Sequence, residues 1–238
     1  MRLFLVVFLT FVVLLNNIDA SFLFGQPCSI RNTAYLKVHK WIAPPGEINC
    51  VDVTGFKKNM HNKIRLSNYT NFFNKASNAD TLYADHINIT RFPILIVKSL
   101  PNLELIDLSG NKIRKLPTKM FRLAPKLKKL LVSDNKIMIP KRVSLISSIT
   151  LQTLMLSNNG IHTIYKYTFR KLPNLEVLYL DNNNLKTLNP MFGTLPNLKM
   201  LHVGRNYLTA IPPKELVSKS LRQFITKTQK KDIEKRSY

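Results

Sequence analysis

Cysteine, glycine and acidic side chains are all scarce in this 238-residue chain. It has two Cys, seven Gly and 13 Asp or Glu against 36 Lys or Arg, a formal charge of +23. Two cysteines, Cys28 and Cys50, are too few for a disulfide-dense scaffold or an all-cysteine zinc site. Seven glycines and 13 prolines without a short period exclude collagen-like and low-complexity chains. No apolar run beyond the first 15 residues could cross a bilayer; the longest, residues 92–97, stops at Lys98. What is present is ordinary globular material, 45% hydrophobic and 21% charged, which excludes disorder throughout. A positive field of this size attracts polyanions or anionic surfaces and says nothing about fold.

The N-terminus carries a targeting signal. Met1-Arg2 precedes an apolar run from Leu3 to Leu15, broken only by Thr10, and then Asn16 to Ala20. This reads as a secretory signal peptide, residues 1–20, cleaved before Ser21. A membrane anchor would need about 20 apolar residues, and the run stops at Asn16. The expected product is secreted and extracellular, with no transmembrane segment. In that compartment Cys28 and Cys50 can form an internal bridge, worth about 3 kcal/mol by loop-closure entropy. A free thiol pair and a link to a partner chain stay open as alternatives. Asn68-Tyr-Thr70 and Asn88-Ile-Thr90 fit the glycan-acceptor pattern.

From Leu103 a motif recurs: Leu103-x-x-Ile106-x-Leu108-x-x-Asn111-x-Ile113. It returns as Leu127, Leu130, Val132, Asn135, Ile137; as Leu151, Leu154, Leu156, Asn159, Ile161; as Leu175, Leu178, Leu180, Asn183, Leu185; and as Leu198, Leu201, Val203, Asn206, Leu208. The asparagines are spaced 24, 24, 24 and 23 residues apart. Ile106 and Leu108 alternate with outward residues, as in a strand with one buried edge. One coil cannot bury its own leucines, so coils must stack and their strands pair in parallel. Each Asn can donate and accept backbone hydrogen bonds where the chain leaves the strand. The pattern resembles the extracellular leucine-rich repeat family, in its 24-residue class.

That resemblance implies an α/β solenoid, a leucine-rich repeat horseshoe. A parallel β-sheet lines its concave face, and its convex side is mostly irregular or short helical. It divides the chain into an N-terminal cap region (21–78), repeats (79–226, about six coils and a truncated last one) and a basic tail (227–238). It implies adhesion, guidance or immune recognition, with no enzyme activity and no cofactor.

Period 2 points Tyr83, Leu105, Asp107, Leu131, Met155, Val177, Tyr179, Met200 and His202 away from the core. An apolar and aromatic stripe on a solvent-facing sheet is costly to leave wet, so these residues are the expected site for an extracellular protein ligand. The bland alternative is a solenoid face with scattered apolar residues, or one covered by a tail. Separately, residues 112–142 hold eleven Lys or Arg and one acid, Asp134. Lys112, Arg114, Lys115, Lys119, Arg122, Lys136, Lys141 and Arg142 fall after the strands. Coil stacking would gather them into a patch for sulphated glycan, anionic lipid or acidic protein, or into a solvated face. The five histidines lack metal-ligand spacing, and no phosphate loop or nucleophile elbow occurs, so no metal and no catalytic residue is expected. Secretion argues against nucleic acid as a partner.

Overall fold

A computed structural model describes residues 33–37, 40–42, 48–53, 76–91, 94–117, 120–188, 193–213, 218–226 and 229. The strands in chain order are β1 (Thr33–Lys37), β2 (Lys40–Ile42), β3 (Cys50–Asp52), β4 (Thr81–Tyr83), β5 (Leu105–Asp107), β6 (Lys129–Leu131), β7 (Thr153–Met155), β8 (Val177–Tyr179), β9 (Met200–His202) and β10 (Gln223–Ile225). They form one sheet in the order β10-β9-β8-β7-β6-β5-β4-β3-β1-β2. Every pairing is parallel except the β1–β2 hairpin. Short helices α1 (Ile94–Ser99) and α2 (Met120–Leu123) lie between strands, and most of the remaining return path is irregular. The architecture is the expected solenoid.

Register follows from the leucine phase. Val51, Leu82, Ile106, Leu130, Leu154, Leu178, Leu201 and Phe224 are direct cross-strand partners from β3 to β10. All but Phe224 are buried, within one continuous core that runs from Val51 to Leu221. A strand from another coil lies about 4.8 Å away on either side, so each leucine is covered by its neighbours in the stack. The late apolar residues Phe121, Leu145 and Phe169 are buried in the same core, closing the coils from the convex side. Three residues after the motif's last apolar position, Leu116 and Ile164 are buried and Leu188 is half-buried, whereas Ile211 at the same place is exposed.

The asparagines form the expected ladder. Asn111 Oδ1 accepts from the N–H groups of Ile87 and Ile89 (3.1 Å each), and its Nδ2 donates to the carbonyls of Ala84 and Leu108 (2.8 Å each). Asn135, Asn159, Asn183 and Asn206 repeat this two-coil bridge, each accepting from the preceding coil and donating to carbonyls of both. A last rung lies beyond the expected truncated coil. Buried Gln229 accepts from Leu208 N–H (3.2 Å) and donates to Thr226 O (2.6 Å) and Val203 O (3.4 Å).

Candidate functional site

Residues pointing away from the core form two columns across the sheet. One runs Thr81, Leu105, Lys129, Thr153, Val177, Met200; the other runs Tyr83, Asp107, Leu131, Met155, Tyr179, His202. The nine sequence-selected residues therefore share one face, on adjacent strands. Their exposure differs from the expectation. Leu131 is 5%, Met155 8% and Val177 1% exposed, and Leu105 and Met200 are equally covered. These five form a second apolar cluster on the side of the sheet opposite the core, with Tyr83 and Tyr179 packed against it. Cross-strand side chains about 4.8 Å apart shield one another, which is why an outward direction does not leave them open. Half-open on this floor are Tyr83, Asp107, Tyr179 and His202.

Polar groups gather where the strands end. Asp85 Oδ2 meets His86 Nδ1 at 3.0 Å, and Asp107 Oδ1 accepts from Ser109 N–H at 2.9 Å. Burial pushes the Asp107 carboxyl up to about 6, helped by the neighbouring Asp85 charge. At the other end Ser157 donates its hydroxyl to Asp181 (2.5 Å), and His202 Nδ1 approaches the same oxygen at 3.4 Å. Burial lowers His202 despite the pull of Asp181, which favours the uncharged ring. Tyr179 stands edge-on to His202, centroids 5.5 Å apart, and burial pushes its phenol up to about 12, leaving a hydroxyl donor.

Ser157, Asp181 and His202 contain the residue types of a hydrolytic triad in the wrong order. The carboxylate sits between hydroxyl and imidazole, so the ring is not the hydroxyl's hydrogen-bond partner. Among the described residues no group of three metal-ligating side chains converges. No described helix is long and apolar enough to cross a membrane.

One backbone feature escaped the sequence. The residue before each asparagine rung, Gly110, Asp134, Asn158, Asn182 and Arg205, has positive φ, as does His86 at the matching place before Ile87 in the first coil. Asn, Asp and Gly take that conformation readily. Gly110 also makes room for a neighbour: a Cβ there would come within 2.3 Å of the His86 ring.

The basic run is divided. Lys126 donates to Asn102 (2.9 Å), Lys128 pairs with Glu104 (2.9 Å), and Lys129 lies on the sheet. Lys112, Arg114, Lys115, Lys136, Lys141 and Arg142 are exposed after the strands, Arg122 is exposed on α2, and Lys119 lies outside the described residues. Of the expected glycan acceptors, Asn88 is exposed, whereas Asn68 lies outside the described residues. Cys28 does too; Cys50 is buried on β3, and no described cysteine is free. The expected signal peptide also falls outside.

Residues 77–137 and 149–208, about half of the chain, match the family model described as Leucine rich repeat. No curated protein matches. Solved structures are similar in fold. The mouse RP105/MD-1 complex aligns over 66% of this chain and 27% of that chain, with 21% identity and a TM-score of 0.58. The Toll–Spatzle complex of Drosophila covers 77% and 24%, at 18% identity and TM-score 0.57. A protein of Leptospira interrogans covers 81% and 48%, at 23% identity and TM-score 0.53. The chain thus spans between about a quarter and a half of the length of these structures.

Proposed function

The chain belongs to the leucine-rich repeat family, and from that premise we propose that it is a secreted, non-enzymatic recognition module that grips a protein ligand with its sheet face. Residues 1–20 are its leader and 21–78 its cap, with Cys28 bridged to Cys50 and β3 continuing the sheet; the repeats, expected over 79–226, carry their ladder on to Gln229, and the remainder is a basic tail. The observation that carries the reading is the apolar cluster of Leu105, Leu131, Met155, Val177 and Met200 on the face opposite the core. Core packing alone gives no reason for apolar residues on that side. A partner would rest on this floor and take its specific contacts from the half-open Tyr83, Asp107, Tyr179 and His202. Their chemistry is a phenol donor, a carboxylate and an imidazole, in a setting of low polarity. Two similar structures are complexes, RP105 with MD-1 and Toll with Spatzle, the latter a molecular hub in Drosophila development and innate immunity. That likeness supports adhesion, signalling or immune recognition as the setting.

The test is capture from extracellular fluid with wild-type protein, Tyr179→Ala and His202→Ala as parallel baits, their folding checked by thermal melts. Retention of a protein by the wild type and its loss from both folded variants is the expected result. Identical sets on all three baits would remove the sheet face from the binding event.

A further inference from the structure

Five large apolar or aromatic side chains of the described repeats are exposed, Met138, Val143, Ile149, Tyr167 and Ile211; Met138 (59%) and Val143 (61%) share the loop that follows the Asn135 rung. Lys136, Lys141 and Arg142, all exposed, share that loop. Coil stacking adds more cations. Lys112 N–H donates to Ile89 O (2.9 Å) and Lys136 N–H to Ile113 O (3.0 Å), which places Lys136 one step along the stack from Lys112. Met138 N–H donates to Arg114 O (2.9 Å), which places Met138 one step along the stack from Arg114. In the two coils that follow, the places of Lys136 and Met138 are taken by Gly160 and His162, then by Asn184 and Lys186. Val143's place in the next coil is taken by Tyr167, whose ring is covered by Lys166 and Arg170, so the uncovered aliphatic pair beside cations is particular to the loop after Asn135.

Nothing described neutralises these cations. Lys128 and Lys199 have glutamate partners, whereas Lys112, Arg114, Lys115, Lys136, Lys141 and Arg142 have no ion pair among the described residues. We propose that this surface docks on an anionic lipid bilayer, with Met138 and Val143 entering the headgroup layer and the six cations meeting its negative charge. The site is separate from the sheet face and does not depend on the function proposed for it. Charge complementarity alone would suit any polyanion; the apolar pair decides between them. A sulphated polysaccharide is hydrated along its length and gains nothing from a bare thioether and isopropyl group. A bilayer interface rewards both kinds of contact, because binding there grows with buried apolar area and with electrostatic attraction to anionic lipid. Each Lys or Arg near an anionic leaflet strengthens binding by roughly fivefold, so six of them make a substantial attraction.

Vesicle flotation of the full chain tests this, using phosphatidylcholine vesicles and vesicles of phosphatidylcholine mixed with phosphatidylserine, beside heparin chromatography. The protein should float with the anionic vesicles only. Lys136→Glu with Lys141→Glu should weaken flotation by about tenfold or more, and separately the uncharged pair Met138→Ser with Val143→Ser should also weaken it. Heparin retention should fall with the charge pair and not fall with the apolar pair. Melting curves confirm folding of both double variants. The proposal fails if no vesicle binds, or if neutral vesicles bind equally. It also fails if the apolar substitutions leave flotation unchanged, which would assign the surface to a soluble polyanion.

Discussion

Asp107 shows how a single position couples the sheet face to pH. Its carboxyl lies in one register with Tyr83 and Leu131, near Asp85 and His86, and it accepts from Ser109 N–H. An unfolded chain releases that proton near 3.8, whereas the folded protein holds it to about 6. Between these values the native state binds more protons than the unfolded state, so its stability falls as pH rises and stays reduced above the window. Asp107→Asn removes the charge and keeps an oxygen to accept from Ser109. Thermal melts should show this variant more stable than wild type at about pH 7.5, by at most a few kcal/mol. Near pH 3.5 the two should coincide. A constant difference across pH would contradict the assignment. The direction of this side chain was legible in the period-2 pattern, but its burial was not. Burial depends on the neighbours that three adjoining strands bring together, and no single strand encodes that.

Along the ladder, the unit of stability is the buried amide that serves two coils. Asn159 accepts from Ile137 N–H (3.0 Å) and donates to Val132 O and Leu156 O (3.0 Å each), besides Ser157 O (3.1 Å). Asn159→Ala strands a buried donor and buried carbonyls, each worth about 1–3 kcal/mol when unsatisfied. We expect a loss of about 3 kcal/mol or more in chemical denaturation. Asn159→Asp should recover little, because a carboxylate accepts but cannot donate to those carbonyls. Recovery to wild-type stability by Asp would show that accepting alone matters. Five of these rungs could be read from sequence because asparagine, leucine phase and spacing coincide. Gln229 escaped because it departs from the asparagine motif; its longer side chain nevertheless reaches the same backbone groups. β3 escaped for a different reason. Ile48-x-x-Val51-x-Val53 has the right inward pattern, but Val51 precedes its partner Leu82 by 31 residues instead of 24, so a fixed period passes over it. The basic run was visible as composition, yet only the fold separates paired Lys128 from the unpaired cations around Met138.

For the molecule as a whole, stability is a sum over neighbouring coils, because each coil's leucines are covered only by the coils on either side. The position of a defect should then matter as much as its chemistry. Leu156 and Leu180 lie mid-array and are fully buried, while Leu221 belongs to the last described coil. Leu156→Asp or Leu180→Asp places an unpaired charge between two coils, costing several kcal/mol and severing the stack where both halves need each other. Either variant should lose the cooperative thermal transition. Leu221→Asp carries the same chemical penalty with one fewer interface at stake. It should release the coil around β10 while the remaining array still melts cooperatively. Hydrogen exchange separates the outcomes: protection lost throughout for the mid-array variants, lost only near Leu208 to Thr226 for Leu221→Asp. Equal, global loss from all three would mean that the solenoid behaves as one indivisible core, and intact melting of Leu156→Asp would overturn the inward edge on which the fold rests.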